Sequence, residues 1–170
     1  LLPVNNKAVI SWVIEMYPKN SKFVISLGYK GEQVKNYLLA AYPGYDFVFT
    51  TVDNYDQSGS GPGYSLMQCK PHLGNKSFYF SVCDALFEGD IPTDRNVNWV
   101  GVADVNFAIS HNYCNFSLEG NSVKKMIDKE PYPDNHSKSF VGLCYIKDAD
   151  IFWKGLENNS LHKNEYQMTK

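Results

Sequence analysis

The chain has 170 residues, a mass of 19.3 kDa, 44% hydrophobic and 15% aromatic residues and a formal charge of -2. Those values fit one globular domain with a single core, and they exclude a disordered chain and the basic footprint of a nucleic-acid binder. No apolar run approaches the roughly 18 residues of a membrane span, and the reading is a cytoplasmic protein whose four cysteines, Cys69, Cys83, Cys114 and Cys144, are free thiols too far apart for a metal motif.

The opening, Leu1-Leu2-Pro3-Val4, reads as a strand-to-helix loop and as part of a longer chain. Lys7 to Met16 carries Val9, Trp12, Val13 and Met16 at helical spacing, with Asn5 or Asn6 placed to cap it and Tyr17-Pro18 to stop it. Phe23 to Leu27 is a short apolar run that predicts a buried parallel strand, Gln33 to Ala41 a helix ended by Pro43-Gly44, and Asp46 to Val52 a further strand. After a loop rich in Asp, Asn, Ser and Gly, a helix from about Tyr64 to His72 and a strong strand, Phe78 to Cys83, follow. The alternation is that of βαβ units. Beyond it, Trp99 to Val105, Tyr113 to Leu118, Ser122 to Asp128 and Ser139 to Ile146 read as strands separated by turns, then Ala149 to Glu157 as a helix, with Leu161 to Thr169 as another candidate. The expected architecture is α/β: a Rossmann-like three-layer sandwich in one domain over 1–170, mainly parallel, with a mixed or antiparallel extension in the second half.

Ligands of open α/β sheets gather at the carboxyl ends of the parallel strands, which directs attention to Gly28 to Glu32, Ser58 to Leu66 and Ser81 to Phe87. Gly59, Gly61 and Gly63 precede a helix, so their amides can approach a nucleotide; a loop relieved by glycines is the alternative. Tyr64 occupies the last glycine position of a dinucleotide fingerprint, and the triphosphate motif GxxxxGK[ST] is absent. Asp84 ends the most hydrophobic strand, where a carboxylate suits Mg²⁺ or caps a helix; Asp104 is a weaker alternative. Lys129, after Asp128, suits a phosphate or a solvated surface. Gly142 inside a strand marks a close approach or a bulge. The histidines show no metal spacing, and Arg95 is the sole arginine. Four Asn-x-Ser matches, among them Asn115-Phe116-Ser117, are discounted as chance.

Taken in order, these segments resemble the sugar-nucleotide pyrophosphorylase family of sugar-phosphate nucleotidylyltransferases. Leu2-Pro3-Val4-Asn5-Asn6-Lys7 resembles that family's "P-V-x-x-K-P" approach to its first long helix, and Gly28-Tyr29-Lys30-Gly31-Glu32 its "GYxGE". Gly61-Pro62-Gly63-Tyr64-Ser65-Leu66 stands at its base-contacting turn and Val82-Cys83-Asp84-Ala85-Leu86 at its "NGD" strand end. Val123 to Lys129 resembles its strand ending in "EK", and Phe140-Val141-Gly142 its "TGxY". The resemblance implies a nucleoside triphosphate held by Gly28, Gly61, Pro62, Gly63 and Tyr64, catalysis at Asp84 and Lys129 with Mg²⁺ on Asp84, and a phosphorylated acceptor held by Asp128, Lys129 and Gly142. It implies in-line attack of an acceptor phosphate oxygen on the α-phosphorus, without nucleic-acid or membrane partners and compatibly with a homo-oligomer. Sugar 1-phosphate is the first-choice acceptor and choline phosphate an alternative. The chain departs from the family in lacking the glycine-rich loop and its arginine, in carrying Val82-Cys83 before Asp84, and in placing Lys170 where a second acid is expected. A glycosyltransferase of similar fold and a non-catalytic nucleotide-binding homologue are the competing readings.

Overall fold

A computed structural model describes residues 1–130 and 138–158. The expected helix at 161–169, Lys170, His136 and His162 lie outside the described residues. The first departure from expectation is local. Asn5 and Asn6 do not cap a helix; both take positive φ, 49° and 60°, and form the turn between β1 (Pro3–Val4) and β2 (Lys7–Ala8). Two asparagines at left-handed φ fit a two-residue hairpin, whose twist requires that conformation at both positions. Helix α1 therefore begins at Val9 and runs to Glu15.

The next three elements follow the sequence reading closely: β3 (Lys22–Leu27), α2 (Gly31–Ala41) and β4 (Asp46–Thr51), with β3 and β4 parallel and in register from Lys22↔Asp46 to Leu27↔Thr51. Alternate residues of β3 serve opposite faces, as a strand requires. Phe23 and Ile25 join Ile14 and Leu38 of α1 and α2, whereas Val24 joins the cluster of Leu66, Cys69 and Trp153. Helix α3 (Pro62–Leu73) starts two residues earlier than the periodicity predicts, because Pro62 at the first helical position has its φ already fixed.

The sheet itself is a correction. Among the described residues β3–β4 is the parallel ladder, and a separate five-stranded sheet is antiparallel throughout. Its members are β5 (Phe78–Ser81), β6 (Trp99–Asp104), β7 (Cys114–Glu119), β8 (Ser122–Asp128) and β9 (Lys138–Ile146). β9 is its centre, pairing with β5, β6 and β7. Among the described residues the antiparallel extension of the second half is therefore found, but the mainly parallel sheet is not: β5, expected to extend the βαβ core, hydrogen-bonds to β9. A six-residue 3₁₀ helix, Phe107–Asn112, also replaces what reads as loop, started by the Asn106 side chain accepting from Ala108 N. Helix α4 (Ala149–Glu157) seals the α3 side through Trp153, 1% exposed, which stacks on Phe78 and donates to Gly74 O at 2.7 Å. No helix among the described residues is long and apolar enough to cross a membrane.

Candidate functional site

Two cavities open along the sheet edges, and they meet at Asp84. One, of about 1090 Å³, is lined by Gly28, Gly61, Pro62 and Asp84 among others. The second, of about 790 Å³, is lined by Pro62, Asp84, Asp128, Lys129 and Gly142 among others. Seven of the predicted residues therefore reach two adjoining spaces, with Pro62 and Asp84 on both. Gly63 and Tyr64 line neither. Gly63 is buried in the first turn of α3, and the Tyr64 hydroxyl donates to Asp53 Oδ1 at 2.6 Å, a bond that raises the Tyr64 pKa.

Local packing explains each placement. Gly61, with φ of 141°, turns the chain into α3, an orientation that leaves the first amides of the helix without intrahelical partners. At Gly28 a Cβ would come within 3.0 Å of the Tyr55 side chain, so its smallness is used by that ring. Tyr55 stands on the same cavity as Gly28 and Gly61, partly exposed, and sequence reasoning overlooked it. The available signal was an aromatic residue isolated in the polar stretch Asp53 to Ser60. Asp84 is exposed two residues beyond Val82, whose amide is held by Gly142 O at 2.9 Å. The neighbouring Cys83 thiol is raised by burial of its sulfur and then by the Asp84 carboxylate, although the residue as a whole is exposed, which disfavours a thiolate nucleophile.

On the smaller cavity, Gly142 has φ of 86° and a Cβ there would lie 2.3 Å from Val82 Cγ2. Both readings of this glycine hold, since the β6–β9 register also shifts between Val100 and Val102 opposite it. Asp128 is 8% exposed and its Oδ2 has no hydrogen-bond partner among the described residues. An unpartnered buried carboxylate oxygen is costly, and a ligand donor relieves that cost. Lys129 takes φ of 52° and its amide donates to Tyr113 O at 3.0 Å, fixing the turn after β8.

That turn is held by a residue to which no role was assigned from sequence. Asn115 is fully buried; its Nδ2 donates to Ser110 O, Tyr113 O and Glu130 O, and its Oδ1 accepts from Ser139 Oγ at 2.6 Å. One side chain so ties the 3₁₀ helix, β7, β9 and the segment after Lys129. Burial also closes Asn115-Phe116-Ser117 to glycosylation in the folded chain. The detectable sign was an amide between Cys114 and Phe116 in an otherwise apolar strand.

Charge is unevenly spread. Asp84, Glu88, Asp90 and Asp128 line the smaller cavity against Lys129 as its basic lining residue. Asp104, the alternative metal ligand, pairs instead with Lys138 at 2.8 Å. No group of three or more His, Cys, Asp or Glu residues converges as a metal cluster among the described residues.

Neither a protein-family model nor a curated protein matches the sequence. Solved structures do. A UDP-glucose pyrophosphorylase complexed with UDP-glucose superposes with a TM-score of 0.77 at 19% identity, over 99% of this chain and 74% of that one. A Bacillus anthracis protein described as a glucose-1-phosphate thymidylyltransferase, in complex with a sucrose, gives 0.75 at 16% identity, over 95% and 66%. A UTP-bound UGPase from Acinetobacter baumannii gives 0.59 at 18% identity, over 88% and 66%. At these identities the likeness is one of fold, and the chain has the fold of sugar-phosphate nucleotidylyltransferases.

Proposed function

We propose that this chain transfers a nucleotidyl group from a nucleoside triphosphate to a phosphorylated small acceptor, sugar 1-phosphate by preference, giving a nucleoside-diphosphate sugar and pyrophosphate. The observation that carries this reading is Asp84, the carboxylate shared by two cavities, one bordered by the glycine turn and the other by Asp128 and Lys129. Two substrates that must exchange a phosphorus need two adjoining sites with the charge-bearing group at the junction. Solved neighbours of the same fold hold UDP-glucose and UTP, ligands of this class. We read the whole domain as a Rossmann-like three-layer sandwich, supported by the opposite-facing Phe23 and Val24 of β3.

In this reading, the backbone at Gly28, Gly61 and Pro62 receives the nucleoside, with Tyr55 available to stack against the base. An acceptor phosphate oxygen forms a bond to the α-phosphorus as the bond to the bridging oxygen breaks, and pyrophosphate departs with that electron pair. No covalent intermediate is needed; the protein positions the two phosphates in line and offsets their charge. Lys129 meets the acceptor phosphate, and the unpartnered Asp128 Oδ2 accepts from an acceptor hydroxyl. Carboxylates outnumber the lysine on this cavity, so phosphates entering it require a counter-charge. An exposed single carboxylate fits Mg²⁺, which binds through one or two carboxylates and substrate phosphates. Asp84 would hold it, and the ion would supply charge neutralisation on the triphosphate.

The test is pyrophosphate release from a triphosphate and sugar 1-phosphate with Mg²⁺. Asp84→Ala is expected to lower the rate by about a hundredfold or more with unchanged thermal stability. Equal turnover by wild type and D84A overturns the assignment. Sugar transfer from a nucleotide-sugar, without pyrophosphate release, would support the glycosyltransferase reading instead.

A further inference from the structure

Several residues on the wall of the smaller cavity are tied together by one side chain that is not part of that wall. Asn115 lies on β7, between β8 and β9, with Ile127 as its Cα partner on one side and Ser139 on the other. It is fully buried, and its partners orient its amide. The Nδ2 end donates to three carbonyl oxygens, Ser110 at 2.8 Å, Tyr113 at 3.2 Å and Glu130 at 3.3 Å. The Oδ1 end accepts from Ser139 Oγ at 2.6 Å. Only one of the two amide orientations suits those partners, because carbonyls accept and never donate.

Tyr113, Asp128, Lys129 and Ser139 all line that cavity. Consecutive backbone positions around the lysine are each anchored. Asp128 is laddered opposite Cys114, the Lys129 amide donates to Tyr113 O at 3.0 Å, and Glu130 O is held by Asn115. Lys129 itself has φ of 52°, a left-handed conformation that a lysine keeps only where its surroundings impose it. Tyr113 O receives both the Lys129 amide and the Asn115 amide, so Asn115 holds the turn on either side of the lysine. Loss of the Nδ2 donor leaves Glu130 O without that contact and lets Lys129 relax toward negative φ, which redirects its Cα–Cβ bond.

We propose that Asn115 is a positioning residue for the acceptor phosphate: it fixes the backbone at Lys129 and so sets where the lysine ammonium meets that phosphate. The inference rests on the nucleotidyl-transfer reading of the cavity. Lysine is a point charge on a long flexible stem, and where the charge can reach depends on where the stem begins. Charge stabilisation acts most strongly when the group is in place before the substrate arrives. An asparagine suits this task because one side chain supplies the donors for several backbone carbonyls at once, and an apolar residue in the same strand would leave those carbonyls without them.

Steady-state pyrophosphate release from UTP and glucose 1-phosphate, with Mg²⁺, is compared for wild type and two variants. Asn115→Asp keeps the shape and replaces the donating group with an acceptor; Asn115→Ser shortens the side chain without adding charge, in case the first does not fold. Both are expected to raise the KM for glucose 1-phosphate about tenfold, with the KM for UTP within about twofold of wild type. In a Lys129→Ala background the same substitutions should change the acceptor KM by less than about twofold, since a residue that acts through the lysine then has nothing to position. Acceptor KM values equal to wild type, or the same tenfold effect without the lysine, overturn the proposal. A purely structural role would give the second result. Backbone amide exchange needs no turnover: the Lys129 amide should exchange about tenfold faster in N115S than in wild type, with the amides of Lys22–Leu27 unchanged. Should wild type release no pyrophosphate, the transfer reading fails by itself; faster exchange at Lys129 then still upholds its placement by Asn115, and unchanged exchange overturns it.

Discussion

Gly142 illustrates how a single residue connects packing to the site. Its φ of 86° lies where a side chain is strained, and an added Cβ would meet Val82 Cγ2 at 2.3 Å, on the strand segment that leads to Asp84. Gly142→Ala is expected to cost about 2–4 kcal/mol, combining the left-handed penalty with overpacking. In urea denaturation, Val82→Ala in the same chain should recover the steric part and leave the backbone part. Full recovery would show that φ contributes nothing. The glycine was legible in the sequence as a close approach or a bulge. The partner it approaches was not, because Val82 is 60 positions away in the chain. Asn115 was overlooked for a related reason: its partners, Ser110, Glu130 and Ser139, are collected only by folding. Gly63 and Tyr64 fall off the cavity walls because the helix starts at Pro62 and turns them toward the core and toward Asp53.

At the scale of elements, β5 is held from below by α3 and α4. Trp153 is 1% exposed, stacks on Phe78 at 5.3 Å with an interplanar angle of 16°, and its indole N–H bonds to the C-cap carbonyl of α3 at Gly74. Trp153→Ala should cost about 3–5 kcal/mol by cavity formation, read as a lower urea midpoint with unchanged slope. Trp153→Phe should fall well short of that loss, retaining the ring contact and forfeiting the hydrogen bond. A negligible change in the alanine variant would mean that α4 does not anchor β5. Elements of this kind were accessible to periodicity. β4, β8 and α4 stand where alternation or 3.6-residue spacing placed them, within a residue at each end. The β1–β2 hairpin was missed because Asn5-Asn6 satisfies two local rules, helix capping and hairpin turning. The first was chosen, whereas left-handed φ at both residues decided for the second.

At the scale of the whole molecule, Tyr17 packs edge-on against both Phe23 of β3 and Tyr79 of β5. Burial pushes the Tyr17 phenol up to about 12 from the ordinary value of 10.0. A folded pKa above the unfolded one means that stability is unaffected below pH 10 and is lost progressively as the pH rises from the unfolded toward the folded value. Tyr42, also raised to about 12 by burial first, adds a loss of the same sign. Between pH 10 and 12, wild type should therefore lose stability faster than Tyr17→Phe, with chemical denaturation as the measurement; identical slopes would place the Tyr17 hydroxyl in water. The sequence by itself determined the class of chain, the order of its longer helices and strands and the residue types at the strand ends, because periodicity and charge act over a few neighbouring residues. Only the tertiary structure decided which strands pair. Phe78 to Ser81 has the composition of a strand in either orientation, and nothing local distinguishes β3 from Leu143 to Ile146 as its partner. Backbone hydrogen bonds are the same in every strand, so the choice rests on contacts between segments more than 60 residues apart.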